Sequence, residues 1–399
     1  MARKCRKDSK GRVLKVGESQ DKTGRYCYKW TDAVGKRHAV YGVTLKELRE
    51  KENQIQKDRQ DGIDSSKQGM TLNQLFSIYI DTKTGIRATT RENYLRMWNS
   101  NIKDSVIGNM KVSKITQMHI KRLYADFVRS GKSYNTIKLL HNLLYPSLQM
   151  AVDSNIIRKN PAVGCKQGIE AERKTREALT IAEQNELLSF VFGNESYSQY
   201  FPLIVFALST GLRVGELTGL RWADVDLKNN VIHIRQQLIY KNLGDGCKFY
   251  ITELKTDAGR RDIPLTAEAR KSLIKQKEQY LLLGKVFQKQ VVAEFDDYVF
   301  TNSKGRPYAA NAINFILKNI VDSYNATVSE SDMRLPHISA HILRHTGCTR
   351  MAESGIDPKT LQYIMGHSDI SVTMNIYNHV DAVRVKNEMA KAEGIVSIG

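Results

Sequence analysis

Ser209-Thr-Gly-Leu-Arg213-Val-Gly-Glu216-Leu-Thr-Gly-Leu-Arg-Trp222 places an arginine just after an apolar helix and a glycine. A guanidinium at such a position can point out towards a ligand. Glu216, three residues on, shares its helical face and can brace Arg213 through a side-chain pair. Taken alone, the pair reads more simply as a surface ion pair.

Four further strings lie C-terminal to it. Glu253-Leu-Lys255-Thr-Asp-Ala-Gly-Arg-Arg-Asp-Ile-Pro-Leu265 puts Lys255 where a strand enters a tight hairpin turn, from which an ammonium can reach a phosphate ester and protonate its leaving oxygen. In His341-Ile-Leu-Arg344-His345-Thr346, helical spacing sets His341 and Arg344 on one face, and the arginine offers a fork of donors to phosphate oxygens. Leu361-Gln-Tyr-Ile-Met-Gly366-His367-Ser ends a helix at glycine and leaves an imidazole at its C-terminal turn, able to donate to a phosphate oxygen. Thr373-Met-Asn-Ile-Tyr377-Asn-His-Val holds a tyrosine that, without company, reads as a packing residue.

Around these strings the chain divides into three parts. Residues 1–64 hold β-forming segments at Arg12–Val16, Arg25–Trp30 and Lys36–Tyr41, with turns at Gly17–Gly24 and Val34–Gly35. A capping box at Thr44–Glu47 then opens a helix to about Arg59. Arg12, Lys29 and Arg37 on this small sheet are candidate DNA contacts, with Tyr26, Tyr28 and Trp30 among them. After a polar linker at Asp61–Gly69, residues 70–165 read as an all-α unit, with helices from Leu72 and over Thr89–Ser100, Thr116–Gly131 and Ser133–Ser154. Arg91, Arg96, Lys121, Arg122 and Lys138 lie on its polar surfaces.

Residues 175–393 are mixed, and a tail runs to 399. Helices are expected at Thr180–Val191, Tyr197–Thr210, Thr266–Leu283, Ala309–Tyr324, Ser339–Ser354, Asp357–Met365 and Ser371–Ile376. Three strands, at Val231–Gln237, Phe249–Leu254 and Arg260–Pro264, form one small antiparallel sheet. A last helix is read over Asp381–Ala392, followed by an apolar end at Ile395–Ile398 that packs on its own domain or on a neighbouring subunit.

The whole-chain numbers narrow the chemistry. A net charge of +19 and a pI near 9.6 favour a polyanionic partner, because neutralising phosphates releases condensed counterions. No apolar run approaches the ~20 residues that span a bilayer. The five cysteines, Cys5, Cys27, Cys165, Cys247 and Cys348, are scattered without C-x-x-C spacing, so reduced thiols are expected in place of a disulfide scaffold or zinc site. The sequence has no P-loop and no evident carboxylate cluster for Mg²⁺, so neither ATP, nor a metal, nor any other cofactor is implied.

Arg, Lys, His-x-x-Arg, Gly-His and Tyr in this order and with these flanks closely resemble the tyrosine recombinase (phage-integrase) family over about residues 71–385. The basic sheet-and-helix unit ahead of them brings the resemblance nearest to the integrases of conjugative transposons. The resemblance implies a multi-domain, mainly α fold. Its parts are an arm-type DNA-binding domain of sheet plus helix, an all-α core-binding (SAM-like) domain and an α+β catalytic domain. It implies Tyr377 as the nucleophile giving a 3′-phosphotyrosyl link, and Arg213, Arg344 and His367 as stabilisers of the transition state. His341 becomes the base or acceptor for the tyrosine and Lys255 the acid, with Glu216 and His345 as supporting residues. The implied partners are double-stranded DNA at core and arm sites, sister subunits in a homo-tetramer, and an excisionase or DNA-bending protein, all in a bacterial cytoplasm. A type IB topoisomerase shares the catalytic set, and a non-catalytic DNA-binding regulator or a metal-dependent nuclease are rivals of other classes. The separate N-terminal unit and the lack of a long insertion before Tyr377 favour the recombinase.

Overall fold

The computed structural model describes residues 6–31, 35–60, 69–169, 177–244, 246–254, 256–283, 290–329 and 332–377. The tail helix expected over Asp381–Ala392 lies outside the described residues. The chain forms two compact units, Met1–Lys174 and Thr175–Gly399, each described by itself.

The first unit opens with an antiparallel sheet of β1 (Glu18–Gln20), β2 (Tyr26–Thr31) and β3 (Arg37–Gly42), followed by α1 (Leu45–Gln60). The two-residue period of β2 sends Tyr26, Tyr28 and Trp30 to one face, where they meet Leu14, Leu45, Leu48 and Ile55. Trp30 stacks on Tyr28 and His38, with centroids 5.7 and 5.4 Å away. The expected first strand is displaced. Arg12–Val16 contributes only a bridge between Lys7 and Val13, and the strand falls at Glu18–Gln20, inside the segment read as a turn. The cause is Glu18, a buried carboxylate held by Arg49 of α1 at 3.0 Å, so a residue that looks polar in sequence faces inward.

The same unit continues with α2 (Leu72–Thr82), α3 (Ala88–Trp98), α4 (Val106–Asn109), α5 (Gln117–Arg129) and α6 (Tyr134–Asp153). Thr71 and Gln74 close a capping box at the start of α2. Trp98 lies flat on Phe76 at 3.7 Å between centroids, and both join a core that includes Leu72, Ile120, Leu140 and Leu144.

The second unit begins with α7 (Ile181–Gly193), α8 (Phe201–Thr210) and α9 (Val214–Thr218), followed by β4 (Val225–Asp226), β5 (Val231–Ile234), β6 (Gln236–Asn242), β7 (Cys247–Glu253) and β8 (Arg261–Pro264). It closes with α10 (Ala267–Leu283), α11 (Ala310–Thr327), α12 (Ala340–Glu353), α13 (Pro358–Met365) and α14 (Ile370–Tyr377). The single sheet expected here is two: β4-β5-β8 form one and the hairpin β6-β7 the other. The predicted strand Val231–Gln237 breaks at Arg235, which separates a segment paired with β8 from one paired with β7. Lys255 therefore follows β7 on a link between two sheets, and its own position lies outside the described residues. α8 is buried along most of its length, through Leu203, Ile204, Phe206 and Ala207 among others. α12 crosses it at Gly347, where a Cβ would come within 2.2 Å of the Leu208 carbonyl. This contact brings Arg344, one turn earlier on α12, to the end of α8.

Candidate active site

Gly211 ends α8 in a left-handed turn with φ of 61°, and Arg213 follows as the residue capping α9. Glu216 reaches back from α9 to accept from the Arg213 backbone N–H at 3.0 Å and from its guanidinium Nη1 at 2.8 Å. Arg213 Nη2 donates to the Gly366 carbonyl at 2.6 Å. Arg344 is buried, donating from Nη1 to the Gly211 carbonyl and from Nη2 to that of Met365, both at 2.7 Å. Its Nη2 also lies 2.9 Å from His367 Nε2. Arg213, Arg344 and His367 thus converge on the turn Met365–Gly366–His367 after α13.

Electrostatics follow from this crowding. Burial, then the charge of Arg213, lowers Arg344 to about 10, still protonated at neutral pH. Burial, then the charges of Arg344, Arg213 and Arg261, lowers His367 to about 4, so the imidazole is neutral. Arginine has no acceptor, so Nε2 of His367 must accept from Arg344, and its proton sits on Nδ1, 3.0 Å from Thr373 Oγ1. In this state Nε2 is an acceptor, whereas the sequence reading had the imidazole donate to a phosphate oxygen. Burial opposes the charge of Glu216, yet the Arg261 hydrogen bonds and the nearby arginine charges hold its carboxyl below the usual range. Three guanidinium charges against one carboxylate leave the cluster with two positive charges in excess.

A pH prediction follows from His367. An unfolded imidazole protonates near 6.5 and the folded one only near 4. The unfolded state therefore binds more protons between these values, which adds a destabilisation absent above 6.5 that grows as pH falls and is complete below about 4. Discounted for the half-exposed ring, it amounts to roughly 1–2 kcal/mol. In thermal unfolding, the wild type should lose roughly 2–6 °C more than His367→Asn between pH 6.5 and 4. Parallel curves for the two proteins would refute the depressed titration.

The other candidates are placed variously. His341 is exposed on the first turn of α12, while His345 turns to its own helix, 3.3 Å from Thr349. Tyr377 ends α14 in an apolar cluster with Cys348, Ala352, Leu361 and Met365, and its hydroxyl donates to the Ile356 carbonyl. The nucleophile suggested by the sequence is packed inward here. Lys29 and Arg37 are exposed on the sheet face opposite α1, and Lys29 lines a depression of about 420 Å³ together with Arg25 and Tyr41. Arg12 instead bonds Asp8 and the Tyr26 hydroxyl, at 2.8 and 2.7 Å, and so ties loop to sheet. Arg91 pairs with Asp81 at 2.8 Å, whereas Arg96, Lys121, Arg122 and Lys138 are exposed.

Two participants were not visible as site residues in the sequence. Arg261 on β8 bonds Glu216 from within the core, and Thr373 orients His367. The inward alternation Arg261-Ile263 on a short strand was the available signal for the first.

Comparison with known proteins places the chain in a family. The phage integrase family pattern matches residues 177–384, a phage integrase N-terminal SAM-like domain matches 71–127, and the DNA binding domain of Tn916 integrase matches 1–59. The transposase from transposon Tn1545 of Streptococcus pneumoniae is 33% identical, over 97% of this chain and 96% of its own. The transposase from transposon Tn916 of Enterococcus faecalis has the same identity and coverage. The Tn1549 transposon integrase, solved in complex with a circular intermediate DNA, superposes with a TM-score of 0.70 and 29% identity, covering 81% of this chain and 99% of that one. The chain belongs to the phage integrase family of tyrosine recombinases. Within it, the protein stands close to the integrases of conjugative transposons and is a site-specific DNA recombinase of such an element.

Proposed function

We propose that Tyr377 attacks the scissile phosphorus at the element ends, forming a 3′-phosphotyrosyl bond while the bond to the 5′ oxygen breaks. The observation that carries this reading is the convergence of Arg213, Arg344 and His367 on one turn, with Glu216 behind them. A phosphodiester is singly charged and becomes doubly charged as the tyrosine oxygen adds, matching the two excess positive charges of the cluster. The phosphate would take over the Arg344 and His367 contacts made here within the protein. Its charge raises the affinity of His367 for a proton and frees Nε2 to donate.

The tyrosine hydroxyl, given up by the Ile356 carbonyl, passes its proton towards His341 as cleavage proceeds. Lys255 delivers a proton to the departing 5′ oxygen. These donors leave no step that requires a metal or ATP. A 5′-hydroxyl from a second strand reverses the sequence and reseals the DNA. The sheet face bearing Lys29 and Arg37 serves arm sites in a domain of residues 1–64, and residues 70–165 with Arg96, Lys121, Arg122 and Lys138 serve core sites. Four subunits assemble on two sites in the bacterial cytoplasm, directed by an excisionase or DNA-bending protein.

The test is a nicked substrate carrying an element end, from which the short leaving fragment with the freed 5′ hydroxyl diffuses away, trapping the covalent protein on the 3′ phosphate. Absence of an SDS-resistant, protease-sensitive complex with wild-type protein would overturn the reading. Lys255→Ala should cleave the same substrate about 10²–10⁴-fold more slowly, and a sulfur-substituted leaving group should restore most of the rate, because a thiolate departs without a proton. Equal cleavage of the two substrates by the variant would remove Lys255 from the acid role.

A further inference from the structure

Arg261 is buried to 1% exposure, and its guanidinium joins three separate segments of the catalytic unit. Nε donates to the Ile364 carbonyl at 2.6 Å, on the last turn of α13 before Gly366 and His367. Nη1 donates to the Gly259 carbonyl at 2.8 Å, in the short turn Asp257–Gly259 that follows Lys255. Nη1 and Nη2 grip both oxygens of Glu216, at 3.3 and 2.9 Å. A second observation agrees. Gly366 has φ of +62°, and a Cβ there would lie 3.0 Å from Arg261 Nη1 and 3.1 Å from the Ala258 carbonyl. The α13 turn therefore sits directly against this guanidinium, at a glycine.

We propose that Arg261 is a positioning residue for strand cleavage. It holds Glu216, and through it Arg213, in register with the Ile364–His367 turn and with the turn after Lys255. The inference rests on the reading that Arg213, His367 and Lys255 act at the scissile phosphate. Its physical core is how the Glu216 charge is shared. With Arg261 present, the carboxylate divides its oxygens between two guanidiniums, and Arg213 keeps net positive charge for a phosphate. Without Arg261, Glu216 faces Arg213 alone and draws it inward, while the His367 turn loses its anchor to β8. A lysine at 261 cannot reproduce the fork, because an ammonium presents no planar pair of donors.

The experiment measures single-turnover cleavage of the nicked element-end substrate at saturating DNA, for wild type, Arg261→Met, Arg261→Lys and Gly366→Ala. Each variant should bind DNA as wild type does and cleave about 100-fold more slowly, the cost of a misplacement near 1 Å. A second substrate carries a neutral methylphosphonate at the scissile position, which needs less positive charge from Arg213. On it the deficit relative to wild type should shrink to less than about tenfold. A residue that only supports the fold would lower both substrates equally, in step with the folded fraction, and that result overturns the proposal. So does normal cleavage by Arg261→Met. Should Arg261→Met not fold, Arg261→Lys and Gly366→Ala decide the matter by the same comparison of substrates. Covalent product from wild type together with undiminished product from the variants rejects the role of Arg261 alone. No product from wild type rejects the cleavage reading and this inference with it.

Discussion

Tyr377→Phe should bind element-end DNA with wild-type affinity and yield no covalent protein–DNA product. The substitution removes one oxygen and retains a ring packed among Cys348, Leu361 and Met365. The cost to the fold is the hydrogen bond to the Ile356 carbonyl, about 1 kcal/mol, which shifts the melting temperature by only roughly 2–4 °C. Chemistry, by contrast, loses its only proposed nucleophile, so the effect on product is all or none. Denaturing gels of the nicked substrate read the product, and filter binding reads the affinity. A phosphotyrosyl adduct from the variant would assign attack to another residue. The hydroxyl is turned to the Ile356 carbonyl and the residue is 7% exposed, so attack by Tyr377 as proposed would need α14 to release the ring.

The expectation for Tyr377 shows what the sequence carried and what it did not. Residue types and their order singled out Arg213, Arg344 and His367, which meet at one turn, and Tyr377, which packs among apolar side chains, but the sequence cannot say which way a phenol points. An aromatic ring beside apolar helices has a packed position as well as a reactive one. Helix starts were legible because their signals are local: Thr71 and Gln74 form a full capping box, and Thr44 Oγ1 accepts from the Glu47 N–H, while the Glu47 carboxylate reaches the Val43 N–H. Strand pairing was not, because partners are distant in sequence. Nothing local in Val231–Gln237 shows that Ile234 pairs with Arg261 while Gln236 pairs with Glu253.

Charged residues hid their partners for a related reason. Glu18, Arg12 and Arg91 look like solvated or DNA-facing groups, yet each is committed to a specific intramolecular partner. Arg261 is the extreme case, an arginine next to Arg260 whose side chain is wholly enclosed while its neighbour's is 56% exposed. Two-residue periodicity separates them once β8 is known to have an inner face.

Arg344→Lys should combine the loss of cleavage with a loss of stability, and in this it should differ from Arg213→Lys. The Arg344 guanidinium is buried and spans the carbonyls of Gly211 and Met365 and the ring of His367. A lysine has one nitrogen on a flexible stem and cannot serve these acceptors together. Leaving buried carbonyls unsatisfied costs about 1–3 kcal/mol each, so the catalytic unit should lose roughly 2–5 kcal/mol. Its unfolding transition should therefore fall by roughly 5–15 °C. Cleavage should fall by about 10²–10³-fold, the usual cost of removing one donor to a developing oxyanion. The Arg213 side chain is 39% exposed, and its bonds to Glu216 and Gly366 lie at the edge of the cluster. Arg213→Lys should therefore lose cleavage to a similar degree while its stability changes by no more than about 1 kcal/mol. Calorimetry and single-turnover cleavage on the same preparations separate the two effects. Near-normal cleavage by Arg344→Lys would mean that this arginine only ties α8 to the α13 turn. Equal melting temperatures for the two variants would mean that its buried contacts carry no special load, and that Arg344 and Arg213 act alike as charges at the phosphate.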